Sequence, residues 1–75
     1  MQNTKPENTG QKIKKLRLMK GYKQEYMAYE IGITQTGYSK IETGETKITL
    51  ERAFAIANIF GMSLVELIQW EEPGA

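Results

Sequence analysis

The chain has 75 residues, contains neither cysteine nor histidine, and carries a formal net charge of +1. This length allows one domain, and the missing residue types exclude disulfides, thiolate metal sites and the commonest catalytic bases and nucleophiles, so we expect no enzyme, no metal and no cofactor. No apolar run approaches the roughly 18 residues of a membrane span, and the polar N-terminus has no signal-peptide core, which predicts a cytoplasmic protein.

The charges are unevenly distributed along the chain. Residues 1–49 hold nine Lys and Arg against five Glu, whereas residues 50–75 hold one Arg against four Glu. A basic front and an acidic back suit a protein that places one face on a polyanion. The alternative is ordinary solvated charge, which charge alone does not exclude.

The first predicted elements are an arm and a helix. Residues 1–10 are polar and show no apolar periodicity, which predicts a flexible N-terminal arm. The spacing predicts a first helix over residues 11–20, where Ile13 and Leu16 share the inward side with Arg17.

Two short helices separated by a tight turn follow. The second helix is predicted over residues 24–31 and ends at Gly32. Lys23, at its cap position, cannot accept a hydrogen bond from the first N–H groups, and a missing cap costs about 1 kcal/mol. The third helix is predicted over residues 35–43, and its first turn is polar. We expect Tyr38 to lie in the core with its hydroxyl reaching outward.

The remaining chain predicts two more helices and a tail. The fourth helix starts after Thr49, and the fifth opens with a Ser63–Glu66 capping box and ends before a tail over residues 70–75. Because no stretch alternates with period two, the fold class is an all-α bundle of five short helices with its domain over residues 11–69. The side chains expected to face inward in these last helices are Leu50, Ala53, Phe54, Ala57, Phe60, Leu64, Leu67 and Ile68.

Several motifs in order carry a family resemblance. They are "IKKLR" from Ile13, the pattern G-x-x-Q-E-x-x-A from Gly21 to Ala28, and "GITQTGYSKIETG" from Gly32. With the helix-four and helix-five segment "TLERAFAIANIFGMSLVELI", they resemble the Cro/repressor-type (lambda-repressor-like, XRE) helix-turn-helix domains. The resemblance implies a small transcriptional regulator, repressor-like, that binds double-stranded DNA in a sequence-specific manner, with residues 35–43 as the recognition helix in the major groove.

The resemblance also implies which residues contact DNA. The base contacts would come from the exposed side of the third helix, where Gln35 suits adenine and Lys40 suits guanine. The alternative is an exposed helix surface with no partner. The implied base contacts are Gln35, Thr36, Ser39 and Lys40, and the implied phosphate contacts are Gln24, Thr34, Thr43 and Lys47.

Two further assignments concern structure and assembly. The family pattern implies an internal ion pair between Arg17 and Glu42, because an unpaired buried charge is costly. Regulators of this kind bind as dimers to palindromic operators, and Val65, Ile68 and Trp70 form a candidate homodimer patch. The alternative for Ile68 and Trp70 is that they close the core.

A function of another class stays open from the sequence. The same fold also suits a protein-interaction module, such as an antitoxin or an anti-repressor partner. That module would keep the apolar pattern but lose the polar face of the third helix. The presence of Gln24, Gln35 and Lys40 favours DNA.

Overall fold

The computed structural model describes residues 8–74. Within this range the chain forms five α-helices and no strand, as predicted. Each helix boundary lies within two residues of the predicted one. The helices are α1 (Thr9–Lys20), α2 (Gln24–Ile31), α3 (Gln35–Thr43), α4 (Leu50–Ile59) and α5 (Leu64–Gln69).

Helix α1 starts earlier than predicted because Asn8 is an effective cap. The Asn8 side-chain oxygen accepts from the Gln11 backbone N–H at 2.8 Å, and the Gln11 side chain accepts from the Asn8 backbone N–H at 3.2 Å. This reciprocal pair is a capping box, which satisfies two otherwise unpaired donors. The assignment of residues 8–10 to a flexible arm is therefore wrong, and residues 1–7 of the predicted arm lie outside the described residues.

Gly10 is buried where α1 meets the end of α3. A Cβ atom at this position would lie 2.4 Å from the Ile41 carbonyl oxygen and 2.7 Å from the Glu42 carbonyl oxygen. These atoms belong to the α3 backbone and cannot rotate away, so only glycine permits this helix contact.

The turn between α2 and α3 depends on Gly32, which has a left-handed backbone conformation with φ of 75°. Its neighbour Ile33 donates its backbone N–H to the Ala28 carbonyl at 3.0 Å, which closes the end of α2. Thr34 then begins α3 as its N-cap, with its hydroxyl accepting from the Gly37 N–H at 3.0 Å. The two helices are thus joined by three residues.

The core is assembled from all five helices. Helix α4 contributes Ile56, which is fully buried, and it leaves Leu50 and Phe54 71% and 62% exposed. The expectation that Leu50 and Phe54 face inward is wrong because they lie on the flank of the buried helix face. The buried cluster comprises Ile13, Leu16, Met27, Ala28, Tyr38, Ile41, Ile56, Ala57, Phe60 and Leu67.

The end of α5 and the segment after it both contact α1. The Lys12 ammonium donates to the Ile68 carbonyl in α5, and the Lys15 ammonium lies 3.0 Å from a carboxylate oxygen of Glu72 in the following segment. Trp70 is half-buried against the core cluster. Two residues of the predicted tail, Trp70 and Glu72, therefore contact the domain.

Candidate nucleic-acid interface

The exposed side of α3 brings the predicted base-contact residues together. Gln35, Thr36 and Lys40 are exposed, and Ser39 is half-buried beside them. All four line one shallow concavity on the protein surface, together with Gln24 and Glu45. The first turn of α3 stays outside the core, since Gln35 and Thr36 are both exposed.

A buried ion pair lies directly beneath this surface. The Arg17 Nε donates to Glu42 Oε2 at 2.7 Å, and Arg17 Nη2 donates to Glu42 Oε1 at 3.1 Å. The two residues are only 8% and 3% exposed, so the bidentate contact compensates for the loss of hydration. Arg17 also donates to the Tyr22 carbonyl at 3.0 Å, which ties α1 to the start of α2 and the end of α3.

The protonation states of the pair are well defined. Burial alone would raise the pKa of the Glu42 carboxyl, but the hydrogen bonds that it accepts, first of all from Arg17, lower that pKa below its ordinary value. The hydrogen bond from Arg17 to Glu42 also raises the pKa of Arg17. Both groups are therefore charged at neutral pH.

Tyr38 differs from the expectation at its hydroxyl. The ring is fully buried, as predicted, but the hydroxyl is buried too and makes no hydrogen bond of good geometry with any residue from 8 to 74. Burial, and next the neighbouring Glu42 carboxylate, raise the pKa of this hydroxyl far above its usual range. The expectation of an outward hydroxyl is wrong because the end of the ring lies beside the ion pair.

Gln24 connects the ion pair to the surface. Its side-chain Nε2 donates to Glu42 Oε1 at 3.1 Å, and its Oε1 accepts from Gln35 Nε2 at 3.5 Å. A continuous series of polar contacts therefore runs from Arg17 through Glu42 and Gln24 to Gln35. The sequence indicated the two ends of this series, and the amide contact to Glu42 became evident only from the structure.

The predicted phosphate-contact residues differ in their surroundings. The Thr34 hydroxyl is engaged as the α3 cap, whereas Lys47 is exposed in the loop after α3. The Thr43 hydroxyl lies 3.2 Å from both the Lys40 carbonyl oxygen and a carboxylate oxygen of Glu45. The sequence interpretation missed Glu45, although its position two residues after Thr43 was a usable signal. This carboxylate disfavours an anion at Thr43.

The glycine in the first turn of α3 has a local explanation. A Cβ at Gly37 would lie 3.2 Å from the Thr34 hydroxyl oxygen, which caps the helix. Glycine therefore leaves room for the cap.

The homodimer candidates separate into two groups. Val65 and Ile68 are 60% and 51% exposed, whereas Trp70 is half-buried against the core. The expectation that Ile68 faces inward is therefore wrong, and Trp70 closes the core. Leu50 and Phe54 add two more exposed apolar side chains on α4.

The described residues contain no cluster of three or more acidic side chains arranged to hold a metal ion. Among the helices from α1 to α5, none has both the length and the apolar character needed to cross a membrane.

Helices α2 and α3, joined across the Gly32 turn and supported by α1, α4 and α5, define a compact five-helix helix-turn-helix domain. The chain belongs to the helix-turn-helix family, whose family model matches residues 13–67. This family is not an enzyme family, and the resemblance to Cro/repressor-type domains is confirmed.

A curated relative supports this assignment by sequence. The chain is 43% identical over 54 residues to the SPbeta prophage-derived uncharacterized HTH-type transcriptional regulator YonR of Bacillus subtilis (strain 168). This match covers 72% of the chain and 50% of the relative, so the chain spans about half the length of that protein.

Solved structures share the fold. The DNA-binding domain of the P22 c2 repressor superposes with a TM-score of 0.81 at 20% identity, covering 88% of this chain and 87% of that domain. SinR, a master regulator for biofilm formation solved in complex with DNA, superposes with a TM-score of 0.72 at 24% identity, covering 83% of this chain and 100% of that one.

Proposed function

We propose that this protein is a small repressor-like transcriptional regulator that binds a specific double-stranded DNA sequence with α3 in the major groove. The observation that carries the proposal is the polar, exposed first turn of α3, whose Gln35 is supported from beneath by Gln24. A helix-turn-helix of this kind presents the start of its second helix to the edges of the bases.

The base contacts are assigned to the side chains that line the concavity. Gln35 has the amide geometry that pairs with adenine, Lys40 can donate to guanine, and Thr36 can contact a thymine methyl group. Ser39 lies on the same side but is half-buried, so its reach is shorter.

Phosphate contacts would position the domain on the duplex. The exposed ammonium of Lys47 and the N-terminal end of α2 at Gln24 suit phosphate oxygens. At Thr34 the hydroxyl is used as the α3 cap, so a phosphate contact there would come from backbone N–H groups at the start of α3. Thr43 is a weaker candidate, because the neighbouring Glu45 carboxylate repels an anion.

The relatives favour the same assignment. The relative from Bacillus subtilis is described as a transcriptional regulator, and the SinR structure was solved with DNA. Residence in the cytoplasm, where bacterial DNA lies, is part of the proposal.

A homodimer on a palindromic operator is the assembly that we infer. One domain of this size contacts only a few base pairs, and two-fold dimers bind half-sites spaced about 34–36 Å apart. The exposed apolar side chains of Val65 and Ile68 provide the proposed contact between copies, and Leu50 and Phe54 on α4 are exposed as well.

Selection of the purified protein against a random pool of double-stranded DNA at near-physiological salt tests the proposal. Enrichment of an inverted repeat with half-sites one helical turn apart is the expected result. If a sample with the helical circular dichroism of a folded domain enriches no sequence, the proposal fails. In that case the exposed Leu50 and Phe54 favour the alternative, a protein-interaction module, and a search for protein partners is the next step.

A further inference from the structure

The orientation of the Gln24 amide is set from inside the protein. Both oxygens of Glu42 accept hydrogen bonds from Arg17, and Glu42 Oε1 also lies 3.1 Å from Gln24 Nε2. An ionised carboxylate can only accept hydrogen bonds. Gln24 must therefore turn its NH₂ group inward to Glu42, which leaves its oxygen facing the surface.

The same reasoning sets the amide of Gln35. Gln24 Oε1 lies 3.5 Å from Gln35 Nε2, and an amide oxygen can only accept. Gln35 therefore donates one of its two N–H groups to Gln24. One N–H and one oxygen remain for a partner outside the protein.

We propose that Glu42 is a positioning residue that makes Gln35 prefer adenine to guanine, although Glu42 is 3% exposed and touches no base. The inference rests on the proposed function, in which Gln35 faces a base. In the major groove adenine presents one acceptor and one donor, whereas guanine presents two acceptors. The remaining N–H and oxygen of Gln35 match adenine, and guanine would place its O6 against the Gln35 oxygen.

Replacing the carboxylate by an amide reverses this series of hydrogen bonds. In Glu42→Gln, an amide oxygen at the Oε2 position still accepts from Arg17 Nε, and the NH₂ group at the Oε1 position faces Gln24 and gives up the contact with Arg17 Nη2. Gln24 then turns its oxygen inward and its NH₂ group toward Gln35. Gln35 accepts through its oxygen, and both of its N–H groups become free to donate to the two acceptors of guanine.

The experiment compares four proteins in the random-pool selection: the unchanged chain, Gln35→Ala, Glu42→Gln and Gln24→Leu. The position that loses its preference in Gln35→Ala identifies the base that Gln35 contacts. At that position we expect the ratio of adenine to guanine to fall about tenfold in Glu42→Gln, because a bidentate contact discriminates by roughly that factor or more. Gln24→Leu also lowers the ratio, since both N–H groups of Gln35 become free.

Preferences at the other positions should stay unchanged. A general loss of stability weakens binding to all sequences alike and alters no ratio between bases, so a change confined to one position is specific. Lys47→Ala is the matched control, since loss of a phosphate contact weakens binding to all sequences alike. If Glu42→Gln does not fold, Gln24→Leu shows whether the link between Glu42 and Gln35 sets the base preference, because Gln24 lies outside the buried pair.

Two failures are distinguishable. If Gln35→Ala removes a base preference while Glu42→Gln and Gln24→Leu keep the original ratio, the positioning role is overturned and the proposed function stands. If Gln35→Ala changes no base preference, the base contact assigned to Gln35 is wrong and the inference fails with it.

Discussion

Gly10 occupies the point where the backbone of α3 comes closest to α1. The space for a Cβ atom is already filled by the carbonyl oxygens of Ile41 and Glu42. Because these oxygens belong to a helix that also presents the candidate base contacts, the single missing methyl group at Gly10 affects both stability and the placement of the site.

Replacing Gly10 by alanine should lower the free energy of unfolding by about 3 kcal/mol, because overpacking against backbone cannot be relieved by a rotamer change. Urea denaturation followed by circular dichroism measures the effect. Gly37→Ala is the control: its Cβ meets a side-chain oxygen, that of Thr34, instead of backbone, and the gain of up to about 1 kcal/mol in helix propensity offsets the disturbance of that cap. Equal stability of both variants would contradict the close approach at Gly10.

The lowered pKa of Glu42 makes the stability of the protein depend on pH. The pKa of the Glu42 carboxyl is lower in the folded protein than in the unfolded chain, so the unfolded chain takes up the proton first as the pH falls. The stability that Glu42 contributes is complete above the pKa of the unfolded carboxyl. It is lost as the pH falls from there through the pKa of the folded one. The urea midpoint should therefore drop between pH 6 and pH 3, and it should drop less in Glu42→Gln. Parallel pH curves would contradict this.

Lys40 is exposed and lines the α3 concavity. If it contacts a base, its loss should affect specific binding more than non-specific binding. Lys40→Ala should weaken binding to the selected site by about tenfold or more while changing non-specific binding much less. Fluorescence anisotropy with a selected and a scrambled duplex measures both. An equal loss on the two duplexes would identify Lys40 as a phosphate contact instead.

The caps show how an element can be locally weak in a well-packed domain. Helices α1, α3, α4 and α5 each begin with a side chain that accepts from the first turn, whereas α2 begins at Lys23 with no such contact. Helix α2 carries Gln24 in its first turn. The weakest helix start in the described chain therefore lies beside the candidate site.

Lys23→Ser should add the missing cap and stabilise the protein by about 1 kcal/mol, which corresponds to a rise of about 4–8 °C in Tm for a domain of this size. Thr49→Ala, which removes the α4 cap, should shift Tm by a similar amount in the opposite direction. Thermal unfolding followed by circular dichroism measures both, and an unchanged Tm in Lys23→Ser would mean that other contacts already hold this end.

The sequence predicted most helices because the residues that end or begin a helix are close to one another along the chain. Glycine after α2 and α3 and the Ser63–Glu66 box before α5 each concern residues within four positions of one another. The start of α1 was missed because the Asn8–Gln11 box lies in a polar stretch with no apolar spacing. Leu50 and Phe54 were misplaced because spacing locates an apolar stripe but not which of its flanks another helix covers.

The candidate site shows the same difference between what local sequence indicates and what helix packing decides. A resemblance of motifs was enough to indicate Gln35, Lys40 and the Arg17–Glu42 pair. The buried contact of Gln24 with Glu42 joins residues 18 positions apart, and the fit of Gly10 against α3 joins residues more than 30 apart. Such contacts depend on how helices pack, which no local pattern records.

At the scale of the whole molecule, apolar side chains are exposed on α4 and α5, and none of them lines the α3 concavity. Replacing Val65 and Ile68 by glutamate should leave the fold intact, because both are more than half exposed, and should prevent association. Analytical ultracentrifugation with and without the selected duplex measures the stoichiometry. The control is Tyr29→Glu, since Tyr29 is 80% exposed on α2. Two copies per duplex in the double variant would place the contact elsewhere.

The packing of the C-terminal segment on α1 has an optical consequence. Trp70 is the only tryptophan of the chain, and it is half-buried at the start of the segment that the Lys15–Glu72 ion pair holds against α1. Its emission therefore reports on this segment, whereas circular dichroism at 222 nm reports on the helices. Because the Lys15–Glu72 contact is partly exposed and sensitive to salt, added salt should shift the emission to longer wavelength while the helical signal stays constant. The molecule thus carries a built-in fluorophore that distinguishes release of one segment from unfolding of the whole.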